Sequence, residues 1–193
     1  MRIIGIDPGS VVTGLGIIEV VNGTFKVLAY DALKMNSKQP IPSRLKMIYD
    51  FCIARIEKYK PDELSVETAF FGKNIQSTMK LGQVRGAVMI AALNSGLRVF
   101  EYTPREVKKS VTGSGSASKP TVQTFIKNIL SVKDNKMLSD SSDALAIALC
   151  HYFSGGEKIP AVKIRGRRQD WKEYIEKNPD KIISFTDTES LYS

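Results

Sequence analysis

The chain has only two cysteines, Cys52 and Cys150, in 193 residues. A pair so sparse builds neither a disulfide framework nor a cysteine-rich zinc site, and it points to a reduced, cytoplasmic compartment. Histidine occurs once, at His151. It falls about two turns beyond Asp143 in an apolar segment, where it reads as a packed or capping residue. Long apolar runs are missing as well. None approaches the ~18 residues that cross a bilayer, so a membrane protein is excluded. Residues 1–10 (MRIIGIDPGS) lack the apolar stretch of a secretory leader. Hydrophobic residues make up 42% and charged residues 25%, which is ordinary globular usage and excludes a low-complexity chain. The length suits one domain.

Negative charge is in short supply. Lys and Arg number 28 against 20 Asp and Glu, a net charge of +8. That balance favours an anionic partner, most often nucleic acid; the alternative is a merely basic soluble protein. The surplus is uneven. Residues 73–119 carry Lys73, Lys80, Arg85, Arg98, Arg105, Lys108, Lys109 and Lys119 against only Glu101 and Glu106. A face for a phosphate backbone requires that kind of concentration.

The pattern of elements is α/β. Residues 2–7 (RIIGID) form an apolar strand running into Asp-Pro-Gly. Residues 14–21 and 25–33 are β-rich and flank Asn22-Gly23, a strong hairpin signal. Pro40 and Pro42 break the chain, and Leu45, Ile48, Tyr49, Cys52, Ile56 and Tyr59 then follow at helical spacing up to Pro61. Strands are expected over 63–67 and 97–102. Helices are expected over 74–94, 104–111, 119–131 and 141–153. In the second helix the apolar set is Ile75, Met79, Leu81, Val84, Val88, Ala91 and Ala92. The order predicts a mixed five-stranded sheet flanked by helices. The domain is read as residues 1–153. Residues 154–193 read as a partly disordered tail with a short helix around Trp171–Ile175.

Four acidic residues stand where acids are uncommon. Asp7 and Glu67 each end an apolar strand. Asp140 and Asp143 open the apolar last helix and share one face by i,i+3 spacing. Carboxylates brought together at a sheet edge repel and resist desolvation, and a divalent cation relieves both costs. Oxygen-only ligands suit Mg²⁺ or Mn²⁺. Each residue has a plainer reading. Asp7-Pro8-Gly9 makes a turn, and Asp140-Ser-Ser-Asp143 resembles a capping box. Glu67 has neither turn nor cap to make. Gly5-Ile-Asp-Pro-Gly-Ser with Gly14 adds a glycine-rich turn that lets backbone approach a phosphate. Gly82-x-x-x-Gly86 allows close helix approach, within the chain or between chains. Gly113–Lys119 reads as a phosphate-wrapping loop or a flexible connector.

Residues 5–16 (GIDPGSVVTGLG), 67–88 (ETAFFGKNIQSTMKLGQVRGAV), 101–119 (EYTPREVKKSVTGSGSASK) and 140–151 (DSSDALAIALCH) together resemble the RuvC family of Holliday-junction resolvases. The resemblance runs from residue 2 to about 153. It implies a ribonuclease H-like fold, a homodimer and a divalent-metal site at Asp7, Glu67, Asp140 and Asp143. It implies DNA-contacting lysines at Lys108 and Lys119, and a junction-centre wedge at Phe70. Lys73, Lys80, Arg85 and Lys109 are the further DNA-binding candidates from the basic stretch. The implied activity is paired, metal-dependent nicking of four-way DNA junctions during recombination and repair. The products are a 5′-phosphate and a 3′-hydroxyl. A branch-migration motor of the RuvA and RuvB type is the implied partner. The chemistry stands without the name. Phosphodiester hydrolysis needs an activated water and charge relief on the leaving oxygen, which up to two Mg²⁺ ions ~3.5–4 Å apart supply together, with Asp7 bridging.

Three other classes compete. An ATP-binding protein of the actin and sugar-kinase type needs two such domains and a second Asp-x-Gly loop, which the sequence lacks. A non-catalytic nucleic-acid-binding module has no use for clustered carboxylates. A ribonuclease H-like nuclease acting on structured RNA would share the carboxylates, and residues 101–119 favour the junction resolvase over it.

Overall fold

The computed structural model describes residues 1–68, 75–132 and 139–155. Phe70, Lys73 and, from residue 156, the tail with its Trp171–Ile175 segment lie outside the described residues. Three strands open the chain: β1 (Arg2–Asp7), β2 (Val12–Val21) and β3 (Thr24–Lys34). Helix α1 (Ile41–Tyr59), strand β4 (Glu63–Glu67), helix α2 (Ile75–Asn94) and strand β5 (Arg98–Tyr102) follow. Helices α3 (Pro104–Thr112), α4 (Lys119–Ile129) and α5 (Ser139–Phe153) complete the domain. The sheet order is β3-β2-β1-β4-β5. β1 runs antiparallel to β2 and parallel to β4; β2–β3 is antiparallel and β4–β5 parallel.

Local chemistry accounts for the joints. Asn22 and Gly23 both take positive φ, 50° and 75°, as a tight twisted hairpin requires. The two prolines start a helix where a break was expected. Pro40 is the N-cap residue of α1 and Pro42 lies in its first turn, where the missing N–H leaves no bond unmade. A capping box at Thr103 and Glu106 opens α3. In α4, Ser118 caps the start and Pro120 takes the second position. The 113–118 loop is no loose connector: Thr112 Oγ1 donates to the Ser114 carbonyl, and the Ala117 N–H reaches the same carbonyl.

Side chains alternate across the sheet with period two. Ile4, Ile6, Leu64, Val66 and Val99 face α1 and α2. Ile3, Ile18, Val20, Phe100 and Tyr102 face α3, α4 and α5. Both cysteines are free and buried, and burial pushes the Cys52 thiol up to about 12. His151 is packed, as its position suggested. Its ring accepts or donates between the Tyr102 hydroxyl at 2.7 Å and Glu63 at 2.5 Å, and Glu63 also pairs with Arg98. Burial lowers the His151 pKa against the pull of Glu63. On α2 the apolar pattern divides. Val84, Val88, Ala91 and Ala92 are buried, while Ile75 and Met79 are 74% and 63% exposed.

Candidate active site

The strand parity that places Ile4 and Ile6 under α1 and α2 turns Gly5 and Asp7 to the opposite face, toward α5. In β4 it turns Ser65 and Glu67 the same way. Ile6 pairs with Val66 in the parallel register, so the next residues, Asp7 and Glu67, end adjacent strands side by side.

Helix α5 brings its acids to that edge because the strand positions directly beneath its backbone are glycines. A Cβ on Gly14 would lie 2.0 Å from the Asp140 carbonyl oxygen, and one on Gly5 would lie 2.1 Å from that of Ala144. The backbone of α5 therefore rests directly on β1 and β2. Gly5 and Gly14 serve this contact, where a phosphate-approaching turn was expected. The α5 helix begins at Ser139, so Asp140 lies inside its first turn and not at an N-cap; the capping-box reading does not hold.

Asp7, Glu67, Asp143, Lys108 and Lys119 line one cavity of about 240 Å³, walled by Pro104, Val107, Val122 and Ala146. Asp140 is not in that lining, yet its charge is felt by Asp7. Asp7 is pushed up to about 7, first by burial, then by Asp143 and Asp140, against the opposing pull of Lys119. Glu67 is also raised to about 7 by burial, Asp7 and Asp143, with Lys119 and Lys108 opposing. Lys119 donates to Asp143 at 2.9 Å, and its own pKa rises on that account.

Other basic candidates lie elsewhere. Arg85 is on the opposite sheet face, bonded to Glu101 at 2.6 Å. Lys80 on α2 and Lys109 on α3 are exposed and outside the cavity lining. The sequence reading missed Arg44, a buried α1 guanidinium that donates to the Ser10 carbonyl at 2.5 Å. Thr13 Oγ1 donates to Gly9 O at 2.8 Å. Together they fix the turn that follows Asp7. A lone arginine in an amphipathic helix carries no signal for this role.

The donor set fits a hard divalent cation. It is all oxygen, and its repulsion is of the kind a cation removes. Among the described residues no three such groups are already closed about one point. The raised carboxyls have a stability consequence. A folded pKa above the unfolded one contributes stability that is full below the unfolded value and lost as pH rises through the folded value. In chelator, the melting temperature is expected to fall from about pH 5 to pH 8 through these two groups. The Asp7→Asn, Glu67→Gln double variant should show a flatter fall. Parallel melting curves for the two proteins would show that the carboxyls are not strained.

The family model for crossover junction endodeoxyribonuclease RuvC matches residues 3–151. A RuvC crossover junction endodeoxyribonuclease of Chloroherpeton thalassium is 49% identical over 185 residues, covering 95% of this chain and 100% of that protein. That of Salinibacter ruber is 42% identical over 186 residues, covering 94% and 99%. The solved structure of Thermus thermophilus RuvC superposes with a TM-score of 0.74 at 32% identity, covering 81% of this chain and 96% of that one. The same protein in complex with Holliday junction substrate gives 0.73 at 31%, covering 81% and 95%.

Proposed function

Because the chain belongs to the RuvC family of crossover junction endodeoxyribonucleases, we propose that its carboxylate cavity cuts four-way DNA junctions by paired nicks in strands of like polarity. The observation that carries this reading is the meeting of Asp7, Glu67 and Asp143 with Lys108 and Lys119 around one cavity at the strand ends. A binding module has no reason to bury mutually repelling acids.

Asp7, Glu67 and Asp143, with Asp140 a turn away, would hold the divalent cation, Mg²⁺ with Mn²⁺ able to substitute and up to two ions per site. Bound there, it supplies an activated water and charge relief at the leaving oxygen. Lys108 and Lys119 attract and orient the scissile phosphate. Val107, Val122 and Ala146 give the cavity an apolar wall that limits water. Phe70, three positions after Glu67 in sequence, is the proposed wedge at the junction centre, where an exposed ring can stack on an unpaired base. Lys73, Lys80 and Lys109 extend the phosphate-binding face. Arg85 contributes less, since Glu101 neutralises it. Residues 1–153 form the nuclease domain and 154–193 a tail. The setting is recombination and repair in the cytoplasm, beside a branch-migration motor of the RuvA and RuvB type. No helix among the described residues is long and apolar enough to cross a membrane. Cleavage of a synthetic four-way junction beside linear duplex and structured RNA, with and without Mg²⁺, tests the reading. Mg²⁺-dependent nicks confined to the junction are expected, and equal cutting of RNA would overturn it.

The active form is a two-fold dimer in this reading, because a junction offers two equivalent strands. Ile75, Met79, Gly82, Gly86 and Ile90 recur at helical spacing on the exposed face of α2. A Cβ on either glycine would meet nothing within 4 Å, so a second helix can approach closely there. Met79→Glu should give a monomer in sedimentation and lose paired nicking. A dimer that survives this charge would place the interface elsewhere.

A further inference from the structure

Lys119 stands among the four carboxylates as their shared counter-ion. Its ammonium is 2.9 Å from Asp143 Oδ2, a charge-assisted bond. Asp7, Glu67 and Asp140 also interact with its charge. Lys108, the other lysine of the cavity, acts on Glu67.

The backbone under Lys119 is held firmly. It is the first residue of α4, between the capping Ser118 and Pro120, and the Ser118 hydroxyl accepts from the Thr121 N–H at 3.3 Å. The side chain itself is 68% exposed, whereas that of Asp143 is 17% exposed. A long, solvated arm on a fixed base can therefore leave its partner without disturbing the fold.

An ammonium bonded to Asp143 repels a dication that needs the same carboxylate. A phosphate arriving at the cavity mouth meets the N-terminus of an eleven-residue helix, the positive end of its dipole, which favours an anion. It also offers the ammonium a new partner. Resting on the metal-dependent nuclease reading above, we propose that Lys119 competes with the divalent cation for Asp143 and releases it when a DNA phosphate takes the ammonium, so that cation and junction bind cooperatively. The free enzyme then holds cation weakly, which restrains nicking away from the substrate. Linkage makes the coupling reciprocal.

The test is Mn²⁺ binding to the full chain without DNA, read from the electron paramagnetic resonance signal of free Mn²⁺. Lys119→Met should bind Mn²⁺ about 10-fold more tightly than wild type, within the usual range of coupling between sites. Lys119→Arg keeps the charge and should stay with wild type. Equal affinity in wild type and Lys119→Met overturns the proposal. Junction affinity, read by fluorescence anisotropy in Ca²⁺ and in chelator, should rise with Ca²⁺ by a larger factor in wild type and Lys119→Arg than in Lys119→Met. Equal factors in all three proteins overturn the coupling. Asp7→Asn separates the two levels. Loss of Mn²⁺ binding in that variant supports the metal site whatever Lys119 does. Unchanged Mn²⁺ affinity removes the metal reading and the proposal together.

Discussion

Asp7→Asn should lower junction cleavage by about 10²–10³-fold, the scale seen when one charge-stabilising group is removed from a catalytic site. Junction binding should remain. The substitution is nearly isosteric and removes one charge from the end of β1, where burial first, then Asp143 and Asp140, push the carboxyl up to about 7. Repulsion is relieved, so the variant should melt no lower than wild type at pH 8, and its junction affinity should hold or rise. Glu67→Gln and Asp143→Asn should behave alike, because both residues line the same cavity. Asp140→Asn should have the smallest effect of the four, since Asp140 stands a turn away. Single-turnover cleavage with anisotropy and a thermal melt separates chemistry from binding and folding. Near-normal cleavage by Asp7→Asn in Mg²⁺ would remove Asp7 from the ligand set.

Gly14→Val should be the most damaging substitution that touches no reacting group. The first atom of any side chain at this position would lie 2.0 Å from the Asp140 carbonyl oxygen, and backbone cannot rotate away as a side chain can. Helix α5 has to retreat from the sheet, carrying Asp140 and Asp143 with it. Overpacking of this kind costs roughly 1–3 kcal/mol of stability. A displacement of about 1 Å at the reacting groups can cost on the order of 10²-fold in rate. Cleavage should therefore fall well beyond what the unfolded fraction explains, while far-ultraviolet circular dichroism stays native at low temperature. Gly5→Val, against the Ala144 carbonyl, should repeat the result. A Gly14→Val protein that folds and cleaves like wild type would show that α5 does not need this contact.

Some of this protein was legible from local pattern alone. Asn22-Gly23 specified its hairpin because both residues tolerate positive φ, a property of two adjacent positions. Glu67 stood out because a carboxylate ending an apolar strand has neither turn nor cap to make, whereas Asp7 before Pro8-Gly9 read equally well as a turn residue. His151 read as packed because its neighbours are apolar. The four acids were singled out by their placement and again by family resemblance, and the two lysines by resemblance alone, which records tertiary contacts that a single chain does not display. The rest depended on which segment lies over which face. Gly5 and Gly14 look like turn glycines until α5 is laid on the sheet. Arg85 looks like a free DNA-binding cation until β5 brings Glu101 to it. Ile75 and Met79 fit the apolar period of α2, yet both are exposed. Pro42 resembles a breaker until the helix starts one residue before it. Periodicity determines the faces of each element, because side-chain direction follows from backbone geometry alone. It does not name the element that covers each face, because that contact joins residues far apart in the chain. Asp7 and Asp143 are separated by most of the domain in sequence, and only packing of α5 on β1 and β2 brings them to one cavity.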